Sequence, residues 1–183
     1  MKKSVLILGG ARSGKSAFAQ SLAVSLDQKV LFVATGEPRD EDMAQRIEQH
    51  KKARPAAWRT LEISTNVGRR LKGQIGDAGV VLLDCLTLLV SNALLNGLDD
   101  PDRLDAAAAE KRVTSEVRQL VNCMNACEGT FIVVSNEVGL GLVPDNRLGR
   151  VYRDLLGRAN QLLVARCDEV YFMVSGIRLK IKG

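Results

Sequence analysis

The sequence is short of aromatic residues and of histidine. Phe, Trp and Tyr make up 4% of its 183 residues, and His50 is the only histidine. So few aromatic side chains leave few platforms on which nucleobases stack. The net charge of +5 comes from lysines and arginines spread along the chain, without a basic cluster. We therefore expect phosphorylated small ligands as partners, and no nucleic acid.

Cysteine pairs and long apolar runs are also absent. None of the four cysteines forms a C-x-x-C pair, and only Cys123 and Cys127 are one helical turn apart. With one histidine this excludes zinc-site spacing and favours reduced, buried thiols. No apolar run approaches the ~20 residues that span a bilayer. Met1 to Lys3 lead directly into the first strand, so removal of a signal peptide would destroy the site described below. We expect a cytoplasmic protein without a membrane span.

Short apolar strands alternate with helical segments along the chain. A length of 183 residues suits one domain covering residues 1–183. The predicted strands cover residues 5–8, 29–34, 58–63, 79–84, 130–135 and 169–174, with 178–181 at an edge, and the predicted helices cover 17–26, 41–54, 86–96, 104–127 and 147–166. Residues 96–102 are predicted as a surface loop. This alternation indicates an α/β fold, with a mostly parallel sheet covered by helices on both faces. Ligand loops are then expected at the carboxyl ends of the strands.

The first strand is followed by a complete G-x-x-x-x-G-K-S motif. It consists of Gly9, Gly10, Ala11, Arg12, Ser13, Gly14, Lys15 and Ser16. Between a buried strand and a helix, such a loop presents backbone N–H groups and the positive end of the helix to phosphate oxygens. The lysine reaches the β- and γ-phosphates, and the serine hydroxyl joins the Mg²⁺ shell. The motif predicts that the chain binds a nucleoside triphosphate.

Asp84 ends the apolar strand 79–84 and is the second candidate site residue. A carboxylate in this position of a phosphate-loop protein can hold Mg²⁺ or its water shell, together with Ser16. The alternative is that Asp84 caps the helix that follows. We favour the metal role, because the phosphate loop supplies a reason for the metal.

His50 has two interpretations from the pattern alone. Met43, Ile47 and His50 share one stripe of the predicted helix 41–54, which points the imidazole inward. Lysines and arginines flank it, and cationic neighbours with partial burial would keep the imidazole neutral, as a nucleophile or base requires. A lone histidine on an apolar face is more often a packed core residue, and the pattern by itself favours that interpretation.

Four segments together resemble one enzyme family. They are the phosphate loop 9–16, residues 46–60 around His50, residues 83–87 after the fourth strand, and residues 135–147 containing Ser135-Asn136-Glu137-Val138-Gly139. The sequence resembles the bifunctional adenosylcobinamide kinase/adenosylcobinamide-phosphate guanylyltransferases of cobalamin biosynthesis. Residues 174–180 resemble the C-terminus of that family as well. Some members of that family have two adjacent histidines at this position, whereas this chain has Gln49-His50.

The resemblance implies two reactions and a set of site residues. Adenosylcobinamide is phosphorylated with ATP or GTP, and GMP is then transferred from GTP through a guanylylated histidine, which corresponds to His50. The positions matching nucleotide contacts of the family are Ala34, Thr35, Gly36, Lys51, Lys52, Ala53, Arg54 and Glu62. Glu137, Asn146 and Arg147 are candidates for the corrinoid by segment resemblance alone. The family also implies a recombinase-like P-loop NTPase fold with a trailing antiparallel strand, and a homotrimer.

Other functions remain to be distinguished. A monofunctional small-molecule kinase needs Lys15, Ser16 and Asp84, but has no use for His50 as a nucleophile. A recombinase-like DNA-binding module would bind DNA with a steep salt dependence, which the scarcity of aromatic residues disfavours. A regulatory nucleotide sensor would bind or hydrolyse nucleotide without a corrinoid acceptor.

Overall fold

Strands and helices alternate along the chain in the computed structural model, which describes residues 2–38, 40–52, 54–98 and 100–183, without the side chain of Arg46. The strands are β1 (Lys3–Gly9), β2 (Val30–Ala34), β3 (Arg59–Glu62), β4 (Val80–Asp84), β5 (Thr130–Val134), β6 (Glu169–Val174) and β7 (Ile177–Lys182). The helices are α1 (Lys15–Ser25), α2 (Glu41–Lys52), α3 (Val67–Leu71), α4 (Leu86–Leu95), α5 (Ala106–Ala126) and α6 (Arg147–Val164). A 3₁₀ turn covers Pro101–Arg103.

The strands form one seven-stranded sheet in the order β3-β2-β4-β5-β1-β6-β7. All neighbouring pairs are parallel except β6 and β7, which are antiparallel. β1 therefore lies between β5 and β6, and β4 lies between β2 and β5. The predicted mostly parallel sheet with an antiparallel edge strand is confirmed. The carboxyl ends of β1, β2, β3, β4 and β5 meet at one edge of the sheet.

Two apolar cores cover the two faces of the sheet. On one face α1 packs Ala19 and Ala23 against side chains that include Ile7 and Phe32. On the other face lie α3, α4, α5 and α6, whose apolar residues form the larger core. Because each central strand is buried on both faces, its sequence is a continuous apolar run instead of an alternating one. Helices on both faces are thus confirmed.

Some boundaries differ from those predicted from the sequence. Helix α3 is not among the helices predicted from the sequence, because five residues are too short to show helical periodicity. Helix α5 begins at Ala106 and not at residue 104, because the Asp105 side chain accepts hydrogen bonds from the N–H groups of Ala107 and Ala108. The described part of α2 ends at Lys52, so Arg54 lies beyond the helix. The predicted surface loop 96–102 contains the start of the 3₁₀ turn.

The described residues hold no helix long and apolar enough to cross a membrane. The four cysteines are free, as expected, but only Cys123 and Cys167 are buried, while Cys85 and Cys127 are half-buried. The Sγ atoms of Cys123 and Cys127 are 3.9 Å apart. The prediction of buried thiols is therefore correct for two of the four.

Candidate functional site

The phosphate loop connects the end of β1 to the start of α1. Gly14 is the N-cap of α1 with a φ of 94°, a left-handed conformation that favours glycine. A Cβ atom on Gly9 would lie 2.5 Å from the carbonyl oxygen of Met173, so β6 also requires a glycine there. No side chain caps the N-terminus of α1. The backbone N–H groups of its first turn can therefore bind phosphate oxygens.

The Lys15 side chain is folded against this loop. Its Nζ donates hydrogen bonds to the carbonyl oxygen of Gly10 and, at 3.5 Å, to Oγ of Ser13. Only 7% of Lys15 is exposed, and this burial lowers the pKa of its ammonium group, while the negative charge of Asp84 opposes that shift. Asp84 is thus close enough to Lys15 for its charge to affect the Lys15 pKa. This proximity agrees with the predicted roles of Lys15 in phosphate binding and of Asp84 in Mg²⁺ binding.

Asp84 does not cap the helix that follows it. The N-cap of α4 is Cys85, and no side chain makes a capping hydrogen bond there. The helix-cap interpretation is therefore wrong. Buried Thr35 links this strand end to the loop after β2, because its Oγ1 donates to the Cys85 carbonyl at 2.7 Å and accepts from the Cys85 N–H at 2.9 Å. The half-buried Asp84 carboxylate remains available for a cation.

Lys51 and Glu62 join the last turn of α2 to the end of β3. The Nζ of Lys51 is 2.9 Å from Oε1 of Glu62 and 3.4 Å from Oε1 of Glu48. The hydrogen bond to Glu62 raises the pKa of Lys51. Because β3 ends at the carboxyl edge of the sheet, this ion pair holds the end of α2 at the same edge. Lys52 is exposed on the same turn, and Ala53 lies outside the described residues.

Arg54 is held against the sheet on the face that α1 covers. Its guanidinium lies 3.8 Å from the centroid of the Phe32 ring. Burial lowers its pKa, while the charges of Asp84 and Glu62 oppose that shift. Its Nε atom is buried and has no hydrogen-bond partner among the described residues. A buried cationic donor without a partner fits an anionic ligand.

His50 is exposed, contrary to the packed-core interpretation and to the predicted inward stripe. Ile47 is half-buried and lies within contact distance of Gly36, whose Cβ would be 3.4 Å away. All residues from Glu48 to Lys52 are exposed, so the last turn of α2 extends beyond the surface that covers Ile47. The imidazole makes no hydrogen bond or ion pair with the described residues, which leaves its nitrogens accessible to a substrate.

The structure brings the predicted residues together in two groups. In the first group, Lys15 and Ser16 belong to the phosphate loop, Asp84 lies near Lys15, and Thr35 hydrogen-bonds to the Cys85 backbone next to Asp84. In the second group, Lys51 and Glu62 lie at the ends of α2 and β3, and Arg54 follows α2. His50 lies beside the second group, because it is on the same last turn of α2 as Lys51. No contact joins His50 to the described residues of the first group. Asn146, a corrinoid candidate, caps α6 by accepting a hydrogen bond of 2.7 Å from the Gly149 N–H, whereas Arg147 is exposed.

Two residues that support the site were missed in the sequence. Buried Asn92 of α4 donates to the carbonyls of Thr35 at 2.8 Å and Ser64 at 3.1 Å, which fixes the loops after β2 and β3. The Gly176 N–H donates to the Ser13 carbonyl at 3.0 Å, so the turn between β6 and β7 supports the phosphate loop. The sequence did contain one signal for Asn92, because a polar amide within the apolar run of α4 indicates a buried hydrogen-bonding role.

The sequence of this chain is similar to a known protein family and to named bifunctional proteins. Residues 5–181 match the family of cobinamide kinase / cobinamide phosphate guanyltransferase. The bifunctional adenosylcobalamin biosynthesis protein CobU of Salmonella typhimurium is 43% identical over 180 residues, which cover 97% of this chain and 99% of that protein. CobP of Pseudomonas aeruginosa, also named a bifunctional adenosylcobalamin biosynthesis protein, is 42% identical over 178 residues, covering 97% of this chain and 96% of that protein.

Solved structures of distant sequence share the fold. A prototypical ATPase from the type III secretion system of pathogenic bacteria has a TM-score of 0.57 at 14% identity, with 94% of this chain and 51% of that chain covered. The flagellar accessory protein FlaH from Methanocaldococcus jannaschii has a TM-score of 0.51 at 12% identity, with 99% of this chain and 78% of that chain covered. The P-loop NTPase fold is confirmed, and the match to a family of kinases and guanyltransferases implies the use of a nucleotide. Given the full-length match and these identities, the chain belongs to the cobinamide kinase / cobinamide phosphate guanyltransferase family.

Proposed function

We propose that this chain phosphorylates the aminopropanol hydroxyl of adenosylcobinamide with ATP or GTP. It then transfers GMP from GTP to the product through a guanylylated His50, which gives adenosylcobinamide-GDP. The observation that carries the proposal is the pairing of a complete phosphate loop with an exposed histidine on a helix that Lys51 and Glu62 hold at the same edge of the sheet.

In the kinase step, the loop and the first turn of α1 bind the triphosphate through backbone N–H groups. Lys15 then exchanges its hydrogen bonds to Gly10 and Ser13 for phosphate oxygens, where its charge stabilises the transferring group. Ser16 and Asp84 are the residues that would hold Mg²⁺. The described residues contain no group of three acidic, histidine or cysteine side chains that could hold a metal. This fits Mg²⁺, which binds through one or two protein ligands plus nucleotide oxygens and neutralises phosphate charge.

In the guanylyl step, an imidazole nitrogen of His50 attacks the α-phosphorus of GTP. A phosphorus–nitrogen bond forms, and the bond from the α-phosphorus to the pyrophosphate oxygen breaks. A phosphate oxygen of adenosylcobinamide phosphate then attacks the same phosphorus, and the histidine leaves. Lys51, Lys52 and Arg54 supply positive charge near the pyrophosphate, and the unpartnered Nε of Arg54 offers a donor. Ala34, Gly36 and Glu62 would contact the nucleoside, whereas Thr35 is fully buried and would act by holding the Cys85 backbone.

The test is His50→Asn, with Gln49→Asn on the same exposed turn as the matched control. Each protein is incubated with GTP labelled at the α-phosphate, with and without adenosylcobinamide. We expect His50→Asn to take up no label and to accumulate adenosylcobinamide phosphate, because an asparagine amide is not nucleophilic. The control and the unchanged protein should carry a label that is lost in acid and stable in base.

Two outcomes would contradict the proposal. Label on a residue other than His50, or wild-type formation of adenosylcobinamide-GDP by His50→Asn, would exclude the histidine as nucleophile. A chain that phosphorylates adenosylcobinamide but never takes up label is a monofunctional kinase.

We further propose that residues 1–183 fold as one domain in the cytoplasm and assemble as a homotrimer, as the family resemblance implies. Light scattering should then give three times the chain mass of 19.9 kDa. We expect no nucleic-acid binding, and DNA binding with a steep salt dependence would contradict that expectation.

A further inference from the structure

The segment that follows β5, residues 137–143, exposes a group of large apolar side chains. We name it the acceptor loop. Leu140, Leu142 and Val143 are 79%, 96% and 65% exposed. Residues 138–143 contain no charged side chain. Large apolar side chains exposed together in one short segment are typical of a surface that binds a ligand or another protein.

The acceptor loop is anchored at both ends. Val138 packs against the larger core at its start. After its end, Nη1 of Arg150 donates hydrogen bonds to the carbonyl oxygens of Pro144 at 3.1 Å and Asp145 at 2.6 Å. Packing and hydrogen bonds therefore fix both ends of the segment that carries the exposed apolar side chains.

The loop begins directly beside the phosphate loop. β5 lies between β1 and β4, which carry the phosphate loop and Asp84. The Glu137 N–H donates a hydrogen bond of 3.1 Å to the carbonyl oxygen of Gly9. The half-buried Glu137 carboxylate accepts a hydrogen bond of 2.7 Å from the Gly139 N–H, which orients it.

The other acidic residues at this edge have different positions or partners. Glu62 pairs with Lys51, and Asp84 lies near Lys15 and is the candidate for Mg²⁺. Glu37 follows β2, which β4 and β5 separate from β1. Glu137 forms no ion pair with the described residues. It is therefore the carboxylate best placed to accept a proton beside the phosphate loop.

We propose that the acceptor loop binds the acceptor of the kinase step. Leu140, Leu142 and Val143 contact the apolar surface of a large amphipathic corrinoid, and Glu137 accepts the proton of its hydroxyl group. The O–H bond breaks as the proton moves to a Glu137 oxygen, the hydroxyl oxygen bonds to the γ-phosphorus, and the bond to the departing nucleoside diphosphate breaks. This inference rests on the proposed function and adds a site for its acceptor.

The test separates chemistry from binding with two variants. Glu137→Gln should lower kcat for adenosylcobinamide phosphorylation by about 100-fold, because general base catalysis contributes at least that much. Its KM for adenosylcobinamide should not change. The double variant Leu140→Ser/Leu142→Ser should raise that KM by about tenfold or more and leave kcat unchanged, since it removes apolar surface that the bound acceptor would cover.

The controls are Glu128→Gln, an exposed acidic residue before β5, and Val24→Ser, an apolar residue of α1 that is 57% exposed. Labelling of His50 by α-labelled GTP and the thermal midpoint should remain at wild-type values in all four proteins. Loss of stability alone would change these two readouts, whereas loss of the acceptor site would not.

An unchanged kcat in Glu137→Gln, or an unchanged KM in the double variant, would overturn the proposal. A double variant that loses the wild-type oligomeric mass would show that the loop is an interface between copies of the chain, which also overturns it. Failure of His50 labelling in the unchanged protein would instead contradict the proposed guanylyl step, and the kinase constants would still decide the role of this loop.

Discussion

Replacing Glu116 by alanine should destabilise the protein strongly, although this residue lies outside the candidate site. Glu116 belongs to α5 and is 6% exposed. Its carboxylate accepts hydrogen bonds from the N–H groups of Asn66 at 2.9 Å and Val67 at 2.7 Å, which begin the short helix α3. A helix of five residues cannot form without such support, because its few internal hydrogen bonds do not offset the cost of nucleation.

The magnitude follows from those two hydrogen bonds. A hydrogen bond to a charged group contributes ~1.5–3 kcal/mol, and the pair therefore ~3–6 kcal/mol. Release of the glutamate side chain on truncation returns up to ~2 kcal/mol of conformational entropy. We expect Glu116→Ala to lower the free energy of unfolding by about 3 kcal/mol, which for a chain of this size lowers Tm by ~6–12 °C.

Urea and thermal unfolding measure this loss, with Glu110→Ala as the control on the same helix. Glu110 forms an exposed ion pair with Arg158, which contributes ~0–1 kcal/mol. Glu116→Gln, which keeps one acceptor oxygen, should fall between the two alanine variants. If Glu116→Ala destabilises the protein no more than Glu110→Ala does, α3 does not depend on this carboxylate.

Four further outcomes are expected. Gly68→Ala should destabilise the protein by ~1–3 kcal/mol in urea unfolding, because the added Cβ would lie 2.2 Å from backbone atoms of α5. The control Gly73→Ala should leave the free energy of unfolding unchanged, because its Cβ would meet nothing within 4 Å. A hydrogen bond from Lys180 lowers the pKa of Glu169 to about 2, below the ordinary 4.5. The ionised Glu169 therefore stabilises the folded state fully above pH 4.5, and this contribution is lost as the pH falls through 2. The Tm of Glu169→Gln should therefore fall less than the wild-type Tm over that interval. Lys15→Ala should nearly abolish adenosylcobinamide phosphorylation while the thermal midpoint persists, and wild-type turnover would refute its phosphate-binding role. Asp84→Asn should raise the Mg²⁺ concentration required for half-maximal activity, since it removes the charge of the carboxylate that we propose as a metal ligand.

The phosphate loop and the parallel sheet were both predictable from the amino-acid sequence. Both depend on local patterns: the G-x-x-x-x-G-K-S motif needs only the strand before it and the helix after it, and apolar runs of about five residues between helical segments indicate buried strands. Resemblance in four segments was also sufficient to predict the family. Asn92 and the C-terminal turn at Gly176 were missed, because their importance depends on which distant backbone atoms they reach.

The environment of individual side chains was not predictable in this way, because it depends on tertiary contacts. His50 shares a helical stripe with Ile47, and periodicity therefore places both inward, but the end of α2 extends past the surface that covers Ile47. Helix α3 forms because Glu116, about fifty residues away in sequence, accepts its first N–H groups. The acceptor loop lies beside Gly9 only because β5 inserts between β1 and β4. Local patterns specify which elements form, whereas burial and hydrogen-bond partners depend on contacts between residues far apart in the chain.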